Sequence, residues 1–391
     1  MKIHSTRGVH KQRLIGIDLF RGIAAYAVCI IHADAVMTFS GFSVDDWMTG
    51  LTQMSRFAVP FFLAASFYLM TNKLYKIDSH FSFFANFKSR FIRLFIPYLC
   101  WSIIYMLLRL IEALGTHKGL ANLFQDPVLV ILLGGSAFHL YFLPLLFSGS
   151  FLLIFAQYLA KRNIKIISLI SLFILSIIIY EIMIVSGNGF QLGTYCLEEK
   201  ASSCSVAFQG FIQSALPNFR NNQLVRLVFV EISWLVQCLP YVFMGMILNY
   251  PSIKEYILKI NKRKTLIFLV TAILFSVFGV LNRFDILYFP VSLYEVGTSV
   301  FLLIYSILCS SNMGKYHFIE NLGISSFGIY LMHYLTLKPY ANIAAKLPTE
   351  FTILSPASTM LLLATLCFLT SWLITSLFLN NKLFSRLLFG L

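Results

Sequence analysis

Three residues that can carry charge, Asp18, Arg21 and His32, interrupt one apolar run, IDLFRGIAAYAVCIIH. At the centre of a bilayer span a charged side chain costs about 3 kcal/mol or more, so three on one helix point to a partner, a wet cavity or a site. At about 100° per residue, the steps from Arg21 to His32 return to within about 20° of the same helix face, over a rise of about 16 Å. A guanidinium low on that face can grip phosphate oxygens in a fork, and an imidazole high on it can take a hydroxyl proton and give it back. The plainer roles are an Asp18–Arg21 salt bridge within the helix and a hydrogen-bonded core histidine.

Other polar residues fall into two layers. The inner layer adds Arg90 and Arg93 in KSRFIRLFIPY, three apart and hence on one helix face. Two such arginines suit a phosphorylated ligand, or else lipid headgroups at a span end. The outer layer holds His32, Asp34, Arg56, His139, Glu231, Glu295 and His333. Glu295 and Glu231 can orient the imidazole or balance Arg56, or serve as packing carboxylates. Ser326, Tyr330 and His333, in NLGISSFGIYLMHY, align on one face and line a polar crevice or act as interhelical hydrogen-bond glue. His139, in FHLYFLP, sits among aromatics as in an interfacial belt. Cys196 and Cys204 share a polar loop and can pair if it faces an oxidising compartment; the other five cysteines lie in apolar runs. No His/Cys cluster has metal-ligand spacing, so no metal is expected.

The elements that must position these groups follow from composition. With 391 residues, 58% hydrophobic and 12% charged, the chain is no ordinary soluble enzyme; an all-α, polytopic membrane helix bundle is expected. Apolar stretches predict ten spans, at about 14–37, 54–74, 94–114, 137–160, 164–185, 225–249, 265–281, 291–309, 318–337 and 357–379. The piece at 127–136, ending in Gly134 and Gly135, reads as a re-entrant segment or as part of a longer fourth helix. The +14 net charge is scattered in short clusters between spans, which excludes a nucleic-acid tract and marks topology instead. Lys and Arg favour one side by about three to one, which places both termini in the cytoplasm and the long 186–223 loop outside. No small-residue cleavage site follows the N-terminal segment, so the first span is expected to stay. No repeat or linker is visible, and residues 1–391 read as one membrane domain.

At these residues the chain resembles the bacterial membrane acyltransferase 3 family, which includes surface-polysaccharide and lipopolysaccharide O-acetyltransferases. IDLFRGIAAYAVCIIH resembles its Asp-x-x-Arg-Gly run and following His, and SRFAVPFFLAASFYL its Val-Pro-x-Phe-Phe block. Arg90 and Arg93 resemble its Arg-x-x-Arg motif, FHLYFLP its His-Leu-Trp-Phe segment, and SSFGIYLMH its Ser-x-Gly-Ile-Tyr-x-x-His segment. Two departures stand out: Ser66 is followed by Phe67 where the family has Gly, and Tyr141 replaces Trp.

The resemblance implies an acyl-coenzyme A donor, acetyl by default, acting as co-substrate with no permanently bound cofactor. It also implies a glycan or lipid-linked glycan acceptor on the outer side of a bacterial inner membrane. On that basis Arg21, Arg90 and Arg93 bind the donor, and His32 is the catalytic base or transient acyl carrier, with Glu295 and Arg56 beside it. Asp18, Ser66, His139, Ser326, Tyr330 and His333 complete the polar lining, with Arg56, Tyr330 and Ser66 open as oxyanion donors. Membrane lipids are the expected surroundings and nucleic acid is not a partner. The rival readings are a glycan or lipid-linked glycan transporter, against which stands the lack of a repeat, and an inactive assembly subunit.

Overall fold

A backbone that leaves water must satisfy its own N–H and C=O groups, and a run of apolar residues does so by coiling into a long helix. The computed structural model describes residues 13–75, 83–115, 127–192, 205–219, 222–310, 314, 316–346 and 355–391. Its helices are α1 (Ile15–Phe39), α2 (Asp46–Ser55), α3 (Ala58–Thr71), α4 (Phe83–Gly115), α5 (Pro127–Leu132), α6 (Phe142–Ser148), α7 (Leu152–Lys161), α8 (Ile166–Val185) and α9 (Gln209–Ala215). They continue with α10 (Gln223–Asn249), α11 (Pro251–Leu258), α12 (Lys262–Arg283), α13 (Val291–Ser310), α14 (His317–Ala344), α15 (Pro356–Leu379) and α16 (Lys382–Phe389). Short 3-10 turns at Phe138–Tyr141 and Gly149–Phe151 complete the fourth span. Gln191–Leu192 pairs antiparallel with Ser205–Val206. Cys196 and Cys204 lie outside the described residues.

Among the described residues, nine stretches are long and apolar enough to cross a membrane. The tenth expected span is α14, which has the length, 28 residues, but whose Ser, Tyr, His and Gly content dilutes its hydropathy. The second span begins earlier than expected, at Asp46, because α2 and α3 run on as one stretch through Arg56 and Phe57. Asp45 caps it by accepting from the Met48 amide at 2.7 Å. The result is an all-α polytopic membrane protein.

The centre of the bundle is α1, packed on α14, α15, α13, α3 and α2. Small residues let these helices approach, as membrane interiors require where no hydrophobic drive separates helix from lipid. Gly16 meets α13 so closely that a Cβ there would run into the Ser306 carbonyl and lie 2.9 Å from Ser310 Oγ. Gly323 of α14 is pressed in the same way onto the Asp18 side chain. Gly16→Val is therefore expected to lower stability by about 2 kcal/mol or more, read as an earlier unfolding transition in detergent. Gly210→Ala, with open space around it, leaves that transition in place.

Phe67 follows Ser66 on α3, where the resemblance leads one to expect Gly, and neighbouring elements make room for it. Gly149 leaves room for the Phe67 ring, with a Cβ there falling 2.7 Å from the ring tip. Gly245 of α10 approaches the Phe67 carbonyl, 2.9 Å from where its Cβ would be. The helices are in close contact here, with the glycines on the segments facing Phe67.

Residues 127–141 resolve the ambiguity at 127–136: α5 stops after six residues and the chain turns back into the bundle. Gly134 makes the turn at φ +81°, with the Leu140–Tyr141 backbone where a side chain would stand. The Tyr98 hydroxyl donates to the Val130 carbonyl at 3.1 Å and accepts from the Gly134 amide at 3.0 Å. Arg109 Nη1 donates to the Gly135 carbonyl at 2.9 Å.

Candidate active site

Three imidazoles meet where α1, α14 and the 138–141 turn converge. His32 stacks on His333 with ring centroids 4.8 Å apart and planes 23° apart. His139 stands edge-on to His333 at 4.7 Å and lies 6.1 Å from His32. Aromatic rings wall the group: Phe138 is 4.7 Å from His32, and Tyr105 and Tyr334 are 5.1 and 5.8 Å from His139. His139 is thus 1% exposed and inside the bundle, which corrects its expected place in an interfacial belt. The Gly134 turn carries it there.

The hydrogen bonds around the trio fix what each ring can do. His333 Nδ1 lies 2.6 Å from the Tyr330 carbonyl, which can only accept, so Nδ1 carries the proton and Nε2 is a lone pair. Its Nε2, His32 Nδ1 and both nitrogens of His139 are buried and have no hydrogen-bond partner among the described residues. Such a group costs about 1–3 kcal/mol when left unsatisfied, so four together favour a polar guest. The rings of His32 and His333 stack side by side, and among the described residues no group of three His, Cys, Asp or Glu is arranged to hold a metal.

Two expected lining hydroxyls serve the fold instead. The Tyr330 hydroxyl donates to the His139 carbonyl and pins the turn. Ser326 is fully buried and returns its hydrogen bond to the Gly323 carbonyl at 2.8 Å, the usual outlet for a serine inside an apolar helix. Ser66 is half-buried on α3. Two contacts had no signal in the sequence: Tyr105 donates to the Leu331 carbonyl at 2.8 Å, and the Cys367 thiol lies 3.1 Å from the His333 carbonyl.

Glu295 and Arg56 form a neighbouring cluster rather than orienting the imidazoles. Glu295 accepts from the Tyr180 hydroxyl at 3.1 Å, within electrostatic range of Arg56, Tyr141 and Tyr241. Arg56 is exposed at the α2–α3 junction. Glu181 caps α13, accepting from the Val291 and Ser292 amides at 3.3 and 2.7 Å.

About 16 Å below the histidines lies the basic layer. Asp18 takes Arg13 Nε as its partner, and Arg13 Nη1 also reaches Glu320 at 3.1 Å. Arg21 stands off, Nη1 3.9 Å from Asp18, so the expected pairing within α1 is a loose one. Arg13 precedes the helix, and its backbone lets the side chain fold over the first turn in a way that residue spacing on a helix does not capture.

Arg90 and Arg93 part company. Arg90 turns into the bundle, Nη1 against Met70 Sδ and a buried Nε without a partner among the described residues. Arg93 is exposed and donates through Nε to the Gly390 carbonyl at 3.3 Å, beside α16. Trp101 Nε1 holds the same segment by donating to Leu388 at 3.0 Å. The first and last described segments therefore meet at one end of the bundle, where Arg21 lies within electrostatic range of both Arg13 and Arg93.

No curated protein and no solved structure matches this chain. The family model for the acyltransferase domain, Acyl_transf_3, matches residues 14–376 and takes in all three imidazoles together with Arg21, Arg90 and Arg93. The chain therefore belongs to the acyltransferase 3 family and is a multi-pass membrane acyltransferase.

Proposed function

We propose that this protein moves an acyl group, acetyl by preference, from acyl-coenzyme A on the cytoplasmic side to a hydroxyl of a surface or lipid-linked glycan on the outer side of a bacterial inner membrane. What carries this is the vertical arrangement: at one level Arg90 and Arg93 without an acid partner among the described residues and Arg21 only loosely paired with Asp18, and about 16 Å above them three imidazoles whose nitrogens lack partners among those residues. Arg90, Arg93 and Arg21 hold the donor's phosphates, and its long pantetheine arm brings the thioester up to His32.

His32 takes the proton of the acceptor hydroxyl as the oxygen attacks the acyl carbon. The new C–O bond forms, the C–S bond breaks, and the proton passes from His32 to the departing thiolate. Glu295 and Arg56 lie to one side of this centre, where they face an acceptor rather than the base. Membranes containing the protein and given radiolabelled acetyl-coenzyme A should label a glycan fraction, and mass spectrometry of surface glycans with and without the protein should show one acyl mass difference. Equal glycan masses and no transferred label would end this assignment.

A further inference from the structure

We infer that His139 is a catalytic residue, the hydrogen-bond donor that polarises the acyl carbonyl and receives its developing negative charge. This rests on the acyltransfer reading above. A thioester attacked by a hydroxyl passes through a tetrahedral state whose oxygen needs a donor already aimed at it. Several donors near the trio are already committed, the Tyr105 hydroxyl among them, to the Leu331 carbonyl. The Tyr330 hydroxyl is committed to the His139 carbonyl, Ser326 to Gly323, and the His333 N–H to the Tyr330 carbonyl. Arg56 belongs to the Glu295 cluster, and His32 must keep a lone pair to act as base.

His139 offers a donor inside the trio itself. A neutral imidazole carries one N–H and one lone pair, and neither His139 nitrogen makes a hydrogen bond among the described residues, the nearby Leu331 carbonyl being taken by Tyr105, so either tautomer presents an uncommitted N–H. The ring is also held rigidly. It is 1% exposed, boxed by Tyr105, Phe138, Tyr330 and Tyr334, and its backbone carbonyl is fixed by the Tyr330 hydroxyl. A donor that does not reorganise in a water-poor pocket is what stabilises an oxyanion best, and a neutral imidazole can serve as such an electrophile. The division of labour is then complete. His32 moves the proton from hydroxyl to thiolate, and His139 keeps its own proton and hydrogen-bonds the carbonyl oxygen throughout.

The test uses the full-length protein in membranes with radiolabelled acetyl-coenzyme A, and purified protein for spectroscopy. His139→Phe preserves the aromatic box and removes the donor; kcat for glycan labelling should fall about 10²-fold with KM for acetyl-coenzyme A nearly unchanged. His139→Gln restores an N–H and should recover part of that loss. The infrared probe is the ketone analogue of acetyl-coenzyme A in which a methylene replaces sulfur, labelled with carbon-13 at the carbonyl. Its carbonyl stretch should move to lower frequency on binding to the wild type, and that shift should vanish in His139→Phe. A wild-type rate in His139→Phe, or a stretch that the wild type does not shift, would overturn the inference while leaving the acyltransfer assignment standing. If His139→Phe does not accumulate, the wild-type stretch and the His139→Gln rate decide it. Wild-type membranes that transfer no label would strike at both.

Discussion

Replacing His32 with Ala is expected to lower glycan labelling by about 10²-fold or more, with the affinity for acetyl-coenzyme A retained. General-base catalysis contributes about 10²–10⁴ in rate, and the effect falls on kcat because the proton moves only in the transition state. His333, held by Tyr330 with its Nε2 lone pair free and stacked on His32, sets the residual rate, and Glu295 is bonded to Tyr180 in the adjoining cluster. Because His32 lies among Phe138 and two other imidazoles, Ala also opens a small gap. His32→Gln, closer in size, separates lost packing from lost chemistry, and should be as inactive as Ala but more stable.

The second large effect concerns Arg90. Arg90→Ala should raise KM for the donor about 10- to 100-fold, corresponding to the loss of one or two charge-assisted hydrogen bonds to phosphate, and leave kcat at saturating donor close to wild type. Lys should restore little, since a point charge does not reproduce the guanidinium fork. Stability should move the other way. Arg90 is turned into the bundle against Met70 with no acid partner among the described residues, so an apolar replacement such as Arg90→Met is expected to hold or raise the unfolding temperature in detergent. Arg93, exposed and bonded to Gly390, should show a smaller KM effect when replaced. A fall in donor affinity coupled to unchanged or higher stability is the signature of a binding group; a lipid-facing anchor would show neither.

The long helices were legible because their cause is local: each apolar run must close its own hydrogen bonds, and length and composition record that. The spacing of Arg21 and His32 on α1 was legible for the same reason. What eluded the sequence depended on contacts between distant segments. The aromatics around His139 point equally to an interfacial belt and to a buried box, and it is the Gly134 turn with its 3-10 segment that puts His139 in the core. Arg90 and Arg93 share a helix face, yet one meets Met70 of α3 and the other the α16 end, neighbours no pattern announces. Asp18 was matched with Arg21 by spacing, whereas Arg13 reaches it from outside the helix. The glycines opposite Phe67 show the converse, a bulky residue on α3 accommodated by partners far along the chain.

The central claim is that donor and chemistry occupy opposite ends of one path through the bundle. Sealed vesicles of defined sidedness test it most directly: radiolabelled acetyl-coenzyme A is supplied to one face only, and acetylated glycan is then sought on the other. Label should appear on the histidine side when donor is given to the face bearing Arg90 and Arg93, and should be absent when donor is given to the opposite face. Equal labelling from either face, or labelled glycan confined to the side that received the donor, would contradict the account.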